Sequence, residues 1–373
     1  MRKRSERVRV KAMPTRGTFR LVSRRAVVAS MAALPAAAAL GARWSAAQTP
    51  VTVTMVTDTA GLGDQNFNDL AKKGLDKAAA ELGVKANVIE SRDAAAYVPN
   101  LTQAAESSDL TIGVGFLLTD AITEVAGQYP DKKFLLIDSH SDAPNVASVL
   151  FKENEAAFLA GVAAGLMTKA SGKNSVGVVG GVKIPPVIRY AVGFEAGVKS
   201  VNPDAKVTVA YADTFDDPAL GKELTLAQYN AGADIVFPVA GKTGVGSFDA
   251  AKEKGAGYWV IAADADQSQL GADHQLAVAR KGVDTAVFAI AKEVVDGTFS
   301  GGDHLLGLKE DGVGLATPGD HVPADVLAVV DKYKAAIVAG GLVVPADEDA
   351  LKAFTPVAPD ALPAAPAAAT PAA

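Results

Sequence analysis

Short apolar runs alternate with amphipathic helical segments along most of the chain, and this alternation limits its possible folds more than any other feature. In residues 51–75 an apolar run ends at Asp58, a glycine-containing turn follows, and a helix begins near Asn66. Apolar runs of this kind are typical of strands that are covered on both faces. Strands that alternate with helices predict parallel sheets joined by right-handed crossovers. The predicted fold class is therefore α/β, with helices on the faces of parallel sheets.

The alternation occurs in two cycles of similar size, which predicts two lobes with a hinge between them. We assign residues 48–148 plus 264–300 to the first lobe and residues 149–263 plus 301–352 to the second. A ligand is expected in the cleft between two such lobes. Residues 353–373 are dominated by alanine and proline, and this composition predicts a disordered tail.

The first 47 residues predict an export signal. Ten of the first 25 residues are Lys or Arg, an apolar run follows over residues 26–40, and a small-residue cleavage site ends at Ala47. The apolar run is too short to span a membrane. Arg24 and Arg25 before an alanine-rich run predict twin-arginine export, with a general secretory signal as the alternative. Met13 is a second candidate for the start.

The charge that remains after this segment excludes several kinds of partner. Residues 1–47 hold 11 basic side chains and one acid, so the remaining chain has 25 of the 36 basic residues and 41 of the 42 acidic ones. Such an acidic surface repels nucleic acid and anionic lipid, so neither is expected as a partner. The chain also has no cysteine, which excludes disulfides, thiolate metal sites and a lipidated cysteine. We expect a soluble periplasmic or secreted protein.

Two glycine-containing motifs were considered as cofactor sites and rejected. Gly61-Leu62-Gly63 is followed by Asn66 where a dinucleotide fingerprint requires a third glycine. Residues 241–243 resemble the end of a phosphate-binding loop, but the glycine required five positions earlier is Val236. The four histidines show no spacing typical of metal ligands. We therefore predict neither a cofactor nor a metal.

The candidate site residues follow from a positional rule: in open α/β sheets, functional side chains lie just beyond the carboxyl ends of the strands. The set combines aromatic rings, carboxylates, an amide, a glycine and one lysine. Its members are Asp58, Phe67, Asn68, Asp120, Asp138, Tyr190, Phe215, Gly241, Asp264 and Lys281. No cysteine or nucleophile-elbow serine is present, so nucleophilic catalysis is not expected. A carboxylate pair could serve a secreted glycosidase or nucleosidase, which is the enzymatic alternative.

Seven short runs resemble the basic membrane protein family of solute-binding proteins, whose best-understood branch comprises purine nucleoside receptors of ABC importers. The resemblance covers residues 51–297 in order. It implies a two-lobed type I periplasmic-binding fold without catalysis, a nucleoside in the cleft, and a monomer that delivers it to a permease and ATPase complex in the inner membrane. A ligand-sensing receptor module is the non-transport alternative. The runs are Asp64-Gln65-Asn66-Phe67-Asn68, Phe151-Lys152-Glu153, Ala160-Gly161-Val162-Ala163-Ala164, Gly193-Phe194-Glu195-Ala196-Gly197-Val198-Lys199, Phe215-Asp216-Asp217-Pro218-Ala219, Gly221-Lys222-Glu223 and Asp264-Ala265-Asp266-Gln267.

The same resemblance implies a role for each residue on the base side of the ligand. Phe67 looks like the aromatic ring that stacks on the base, and Asn68 and Asp138 look like the groups that read its edge. The opposing aromatic ring is either Tyr190, where the family usually has Phe, or Phe215.

On the sugar side, Asp264 looks like the carboxylate that binds ribose hydroxyls, and Lys281 looks like its cationic partner across the cleft. Gly241 would let the backbone approach the sugar. The chain departs from the family pattern at Lys242, where relatives often have Gly, and in lacking a lipidated cysteine. These departures leave the identity of the ligand open.

Overall fold

The computed structural model describes residues 49–362. The predicted export signal at residues 1–47 and the end of the chain at residues 363–373 lie outside this range. None of the helices within residues 49–362 combines the length and the apolar character that a membrane span requires.

Twelve strands and eleven α-helices lie in the described range. The strands are β1 (Thr52–Val56), β2 (Lys85–Ile89), β3 (Leu110–Val114), β4 (Lys133–Ile137), β5 (Val146–Phe151), β6 (Ser175–Gly180), β7 (Lys206–Tyr211), β8 (Ile235–Val239), β9 (Trp259–Asp264), β10 (Gln275–Lys281), β11 (Gly302–Leu306) and β12 (Val313–Ala316). The helices are α1 (Phe67–Leu82), α2 (Tyr97–Ser107), α3 (Thr119–Gln128), α4 (Glu153–Ser171), α5 (Pro185–Val201), α6 (Pro218–Asn230), α7 (Val245–Lys254), α8 (Ser268–Gly271), α9 (Val283–Asp296), α10 (Ala324–Val338) and α11 (Glu348–Ala353).

The strands form two six-stranded sheets that are built in the same way. The first has the order β11-β5-β4-β3-β1-β2 and the second the order β12-β10-β9-β8-β6-β7. All neighbouring strands run parallel except β12, which is antiparallel to β10. In each sheet the strand order reverses beside the first strand of the cycle, and ligands bind at such switch points. The predicted α/β fold with two parallel sheets is confirmed.

The boundary between the lobes differs from the predicted one. β10 pairs with β9 in the second sheet, although we predicted residues 264–300 for the first lobe. β11 pairs with β5 in the first sheet, although we predicted residues 301–352 for the second. The chain crosses between the sheets three times in the described range: after β5, after β10 and after β11. The sequence of a strand does not specify the strand with which it pairs, and β11, which contains Gly302, Asp303 and His304, is not an apolar run.

The beginning of the predicted disordered tail is ordered. The ring of Phe354 packs edge-on against Phe158, with 6.3 Å between ring centroids. The hydroxyl of Tyr333 donates a hydrogen bond of 2.6 Å to the carbonyl of Val357. Leu362 also packs against the core. The prediction failed for residues 353–362 because it rested on average composition and overlooked the apolar side chains between the alanines and prolines.

Helices α4 and α5 pack closely against each other at glycine positions. A Cβ atom at Gly161 would lie 2.1 Å from the carbonyl oxygen of Phe194, and one at Gly197 would lie 2.1 Å from that of Phe158. Gly165 faces the backbone of Val198 in the same interface. Glycine is therefore required at these positions to bring the two helices together.

We predict that Gly161→Ala lowers the free energy of unfolding by about 1–3 kcal/mol or more, because the added methyl group meets a backbone atom that cannot rotate away. Gly127→Ala is the matched control. Gly127 lies in α3, and a Cβ atom there would meet nothing within 4 Å. The control should be stabilised by about 0.4–1 kcal/mol. Urea unfolding measures both values, and equal effects of the two substitutions would contradict the proposed packing.

Candidate ligand-binding site

A cavity lies between the two lobes, at the carboxyl ends of strands from both sheets. Its walls contain aromatic rings, carboxylates and one lysine. Every predicted site residue except Asp120 lines it. The lining residues are Asp58, Ala60, Asp64, Asn66, Phe67, Asn68, Gly115, Phe116, Leu117, Asp138, Ile184, Pro186, Val187, Tyr190, Phe215, Val239, Ala240, Gly241, Ala263, Asp264 and Lys281.

Asp120 is the one predicted site residue that does not line this cavity. It is exposed in the first turn of α3. A short 3₁₀ turn at Phe116–Leu118 separates the end of β3 from α3. Phe116 and Leu117 of this turn line the cavity in place of Asp120.

The corner after β1 is held by two buried carboxylates that share one amide. The side-chain nitrogen of Asn68 donates to Asp58 at 2.9 Å and to Asp64 at 3.1 Å. Asp64 also accepts the backbone N–H groups of Asn66, Asn68 and Asp69 at the start of α1. Asp64 thus caps the helix and orients Asn68. The side-chain oxygen of Asn68 is buried with no hydrogen-bond partner among the described residues, so it is available to accept a bond from a ligand.

The ring of Phe67 forms part of the wall beside this corner. Gly115 has a backbone φ of +111°, and a Cβ atom there would lie 3.3 Å from Cε1 of Phe67. The ammonium nitrogen of Lys281 lies 4.8 Å from the centroid of the Phe67 ring, within the range of a cation–π contact. Glycine at position 115 therefore leaves room for the ring, and the ring in turn covers the lysine.

Lys281 is buried in the wall of the cavity among three carboxylates. Its nitrogen lies 2.6 Å from an oxygen of Asp138, 3.4 Å from Glu153 and 3.9 Å from Asp264. Glu153 is fully buried and accepts a second charged bond, of 2.6 Å, from Arg189. Burial acts to lower the pKa of Lys281, but the three carboxylates outweigh burial and raise it. The lysine is therefore charged and fixed in place.

Asp138 and Asp264 have unusual backbone conformations at the ends of their strands. Their φ angles are +71° and +63°, in the left-handed region that residues other than glycine rarely adopt. Strain of this kind is concentrated at functional sites. Burial raises the pKa of Asp138 to about 7, although Lys281 opposes the shift. One oxygen of Asp138 is buried without a hydrogen-bond partner in the described part of the chain.

Two aromatic side chains of the second lobe complete the cavity. The hydroxyl of Tyr190 donates a hydrogen bond of 2.5 Å to Oδ1 of Asp264. The ring of Phe215 packs over two glycines: a Cβ atom would lie 2.3 Å from it at Gly181 and 3.5 Å from it at Gly241. The two rings thus differ in their surroundings: the hydroxyl of Tyr190 bonds a carboxylate, whereas Phe215 packs in the hydrophobic core and over glycine backbone.

Several residues of the site escaped prediction. Gly115 and Phe116 directly follow β3, so the positional rule that selected the other residues could have found them. Ile184 and Val187 are apolar and carried no signal that separates a cavity wall from a core. Glu153 forms an ion pair with Lys281 at 3.4 Å, and only the three-dimensional fold brings these two residues together.

Two similar α/β lobes with a polar, aromatic-lined cavity between them define the class of two-lobed solute-binding proteins. Residues 51–348 match the family model described as Bmp, ABC transporter substrate-binding protein PnrA-like. The chain therefore belongs to the Bmp family of ABC transporter substrate-binding proteins. The resemblance that the sequence motifs indicated is confirmed.

Individual relatives agree with this assignment. The chain is 40% identical over 316 residues to a CD4+ T-cell-stimulating antigen of Listeria monocytogenes, covering 79% of this chain and 88% of the relative. It is 35% identical over 320 residues to the ABC transporter nucleoside-binding protein BmpA of Lactococcus lactis, covering 80% and 90%. A solved ABC transporter solute-binding protein from Aeropyrum pernix superimposes with a TM-score of 0.75 at 33% identity, covering 82% of this chain and 96% of that one.

The buried carboxyl of Asp64 predicts a pH dependence of stability. Burial raises its pKa from the ordinary value of 3.8 to about 6. A carboxyl whose pKa is higher in the folded state stabilises the fold when it is protonated. Its contribution is therefore complete below about pH 4 and is lost as the pH rises through about 6. Between about pH 4 and pH 6, the free energy of unfolding of the wild type should therefore fall by on the order of 2 kcal/mol more than that of Asp64→Asn.

Urea unfolding at a series of pH values measures this difference. Asp76→Asn, at an exposed position of α1, controls for the loss of one negative charge. If Asp64→Asn and Asp76→Asn show the same slope as the wild type, the assignment of a raised pKa to Asp64 is wrong.

Proposed function

We propose that this protein is the receptor of an ABC importer and that it binds a purine nucleoside between its two lobes. The observation that carries the proposal is the distribution of polar groups in the cavity. Asn68 and Asp138, each with an unpartnered acceptor oxygen, line the same cavity as the ring of Phe67, and Asp264 is a further carboxylate in that cavity. A nucleoside has the matching parts: a flat base with N–H donors and a sugar with hydroxyl donors. The nucleoside-binding relative from Lactococcus lactis supports the same ligand class.

The base is proposed to stack on Phe67. Stacking of a base on an aromatic side chain contributes about 1–3 kcal/mol and does not depend on which base is present. Selectivity would come from the edge of the base, where the oxygen of Asn68 and the free oxygen of Asp138 can accept its N–H groups. Buried acceptors without partners disfavour a ligand that cannot donate to them.

Phe215 is the better candidate for the opposing ring. Tyr190 already makes two contacts within the protein: its hydroxyl is hydrogen-bonded to Asp264, and its ring packs edge-on against Phe237 with 5.6 Å between centroids. Phe215 lies over backbone at Gly181 and Gly241 and lines the cavity. Its position leaves a ring face for the ligand.

The sugar is proposed to bind at Asp264. Hydroxyl groups that donate to a buried carboxylate form charge-assisted hydrogen bonds, which are stronger than neutral ones. Burial raises the pKa of Asp264, and the positive charge of Lys281, 3.9 Å away, opposes this shift. Gly241 has a φ of +55° and no side chain, so the backbone can approach the ligand at this wall.

Binding is proposed without chemical change to the ligand, in a monomer that acts outside the cytoplasm and delivers the ligand to a membrane permease complex. The export signal that this location requires falls in residues 1–47, beyond the described range. Incubation with inosine tests the absence of catalysis: a receptor returns the nucleoside intact, whereas a nucleosidase releases hypoxanthine and ribose.

We predict that Phe67→Ala lowers the affinity for both inosine and hypoxanthine by about ten- to a hundred-fold, because each ligand loses the same stacking face. Asp264→Ala should lower the affinity for inosine at least as much and leave the affinity for hypoxanthine unchanged, since the free base has no ribose. Isothermal titration calorimetry of both variants with both ligands gives the four values.

Phe288→Ala is the matched control for the loss of an aromatic ring. Phe288 lies in α9, packs against the core from a partly buried position and is not part of the cavity wall. Its substitution should leave both affinities unchanged. If Asp264→Ala weakens hypoxanthine as much as inosine, the sugar does not bind at Asp264.

A further inference from the structure

We infer that Tyr190 sets the sugar specificity of the site. Its hydroxyl occupies one oxygen of Asp264, so Asp264 holds a single ribose hydroxyl, and a nucleoside that lacks the other hydroxyl binds nearly as well as the ribonucleoside. The inference rests on the proposed nucleoside function and adds to it a prediction about the class of sugar.

The first step concerns Oδ1 of Asp264, which is approached from two directions. The hydroxyl of Tyr190 donates to this oxygen at 2.5 Å, and the nitrogen of Lys281 lies 3.9 Å from it. A carboxylate oxygen offers about two lone-pair sites. The hydrogen bond from Tyr190 occupies one of these sites, whereas Lys281 is too distant for a hydrogen bond, so Oδ1 is a weaker acceptor for a ligand hydroxyl than Oδ2.

The second oxygen of Asp264 has no such constraint. Within residues 49–362, no side chain or backbone group forms a hydrogen bond to Oδ2 of Asp264. Asp264 lines the cavity, so this oxygen can accept a bond from a bound ligand. A cis-diol uses two acceptor positions when both of its hydroxyls bind one carboxylate, and here Oδ2 is the stronger acceptor of the two oxygens.

The third step is that Tyr190 cannot easily leave its position. Its side chain is 2% exposed, and its ring packs edge-on against Phe237. Helix α5, which carries Tyr190, is fixed against α4: a Cβ atom at Gly193 would lie 2.3 Å from the carbonyl oxygen of Asn154. Burial, together with the negative charge of Asp264, raises the pKa of Tyr190, so its hydroxyl stays protonated and donates.

Together these contacts make Tyr190 a positioning residue that acts on the ligand through Asp264. Removing the hydroxyl leaves the aromatic ring and its packing in place but releases Oδ1. A ribose could then donate from both its 2′ and 3′ hydroxyls to the two oxygens of one carboxylate. The variant should therefore discriminate between ribose and deoxyribose more strongly than the wild type does.

The experiment measures the affinities of inosine, 2′-deoxyinosine and 3′-deoxyinosine for the wild type and for Tyr190→Phe by isothermal titration calorimetry. For the wild type, at least one deoxynucleoside should bind within about threefold of inosine. For Tyr190→Phe, the same ratio should rise to about tenfold or more, the value of one added hydrogen bond to a charged group. Tyr229→Phe is the matched control, because Tyr229 is a buried tyrosine of the second lobe that donates to the carbonyl of Trp259 and does not line the cavity.

Each outcome has a defined meaning. A purely structural role of Tyr190 would weaken all three ligands equally and leave the ratios unchanged, which would overturn the inference. A wild type that rejects both deoxynucleosides by about thirtyfold or more would also overturn it, and this measurement does not depend on the folding of any variant. If the wild type binds none of the three nucleosides, the proposed function itself fails, and the inference fails with it.

Discussion

The buried ammonium group of Lys281 is the feature on which the rest of the site depends. Lys281 ends β10 directly before the chain crosses to the first lobe, and Glu153 begins α4 directly after the chain has crossed to the second. Asp138 brings the charge of the first lobe to within 2.6 Å of the lysine. Removing one partner from such a buried cluster leaves an uncompensated charge and is strongly destabilising. The cluster therefore links the two lobes beside two of the points where the chain crosses between them and, with Asp264, forms part of the cavity wall.

The cavity owes its chemistry to the ends of the strands and its shape to glycine. Asp138 and Asp264 occupy left-handed backbone conformations that turn the chain sharply at the edge of each sheet. Gly115 and Gly241 have positive φ angles that disfavour other residues, and each lies close to an aromatic side chain, Phe67 or Phe215. Strained carboxylates and absent side chains both cost stability. Lys281, buried among three carboxylates, holds the side chains around it in place.

The sequence predicted the fold class and nearly all of the candidate site because both depend on local patterns. Strand ends and helix starts are visible in a sequence, and parallel strands place those ends together. The pairing of β10 and β11 could not be predicted, since the sequence of a strand does not specify its pairing partner and β11 lacks an apolar run. The ion pair between Glu153 and Lys281 could not be predicted either, because it depends on where the chain crosses between the two sheets. Asp120 lies at the start of a helix, a local motif that is visible in the sequence, but it is exposed and does not line the cavity.

A crystal structure of the protein with inosine tests the central claim most directly. The account predicts the hypoxanthine ring between Phe67 and Phe215, with its N–H groups at Asn68 and Asp138 and its ribose at Oδ2 of Asp264. Both lobes would then contact one ligand, which is the condition for a ligand to favour the closed arrangement. Inosine bound with its ribose beside Asn68, or bound outside the cavity between the lobes, would contradict the account.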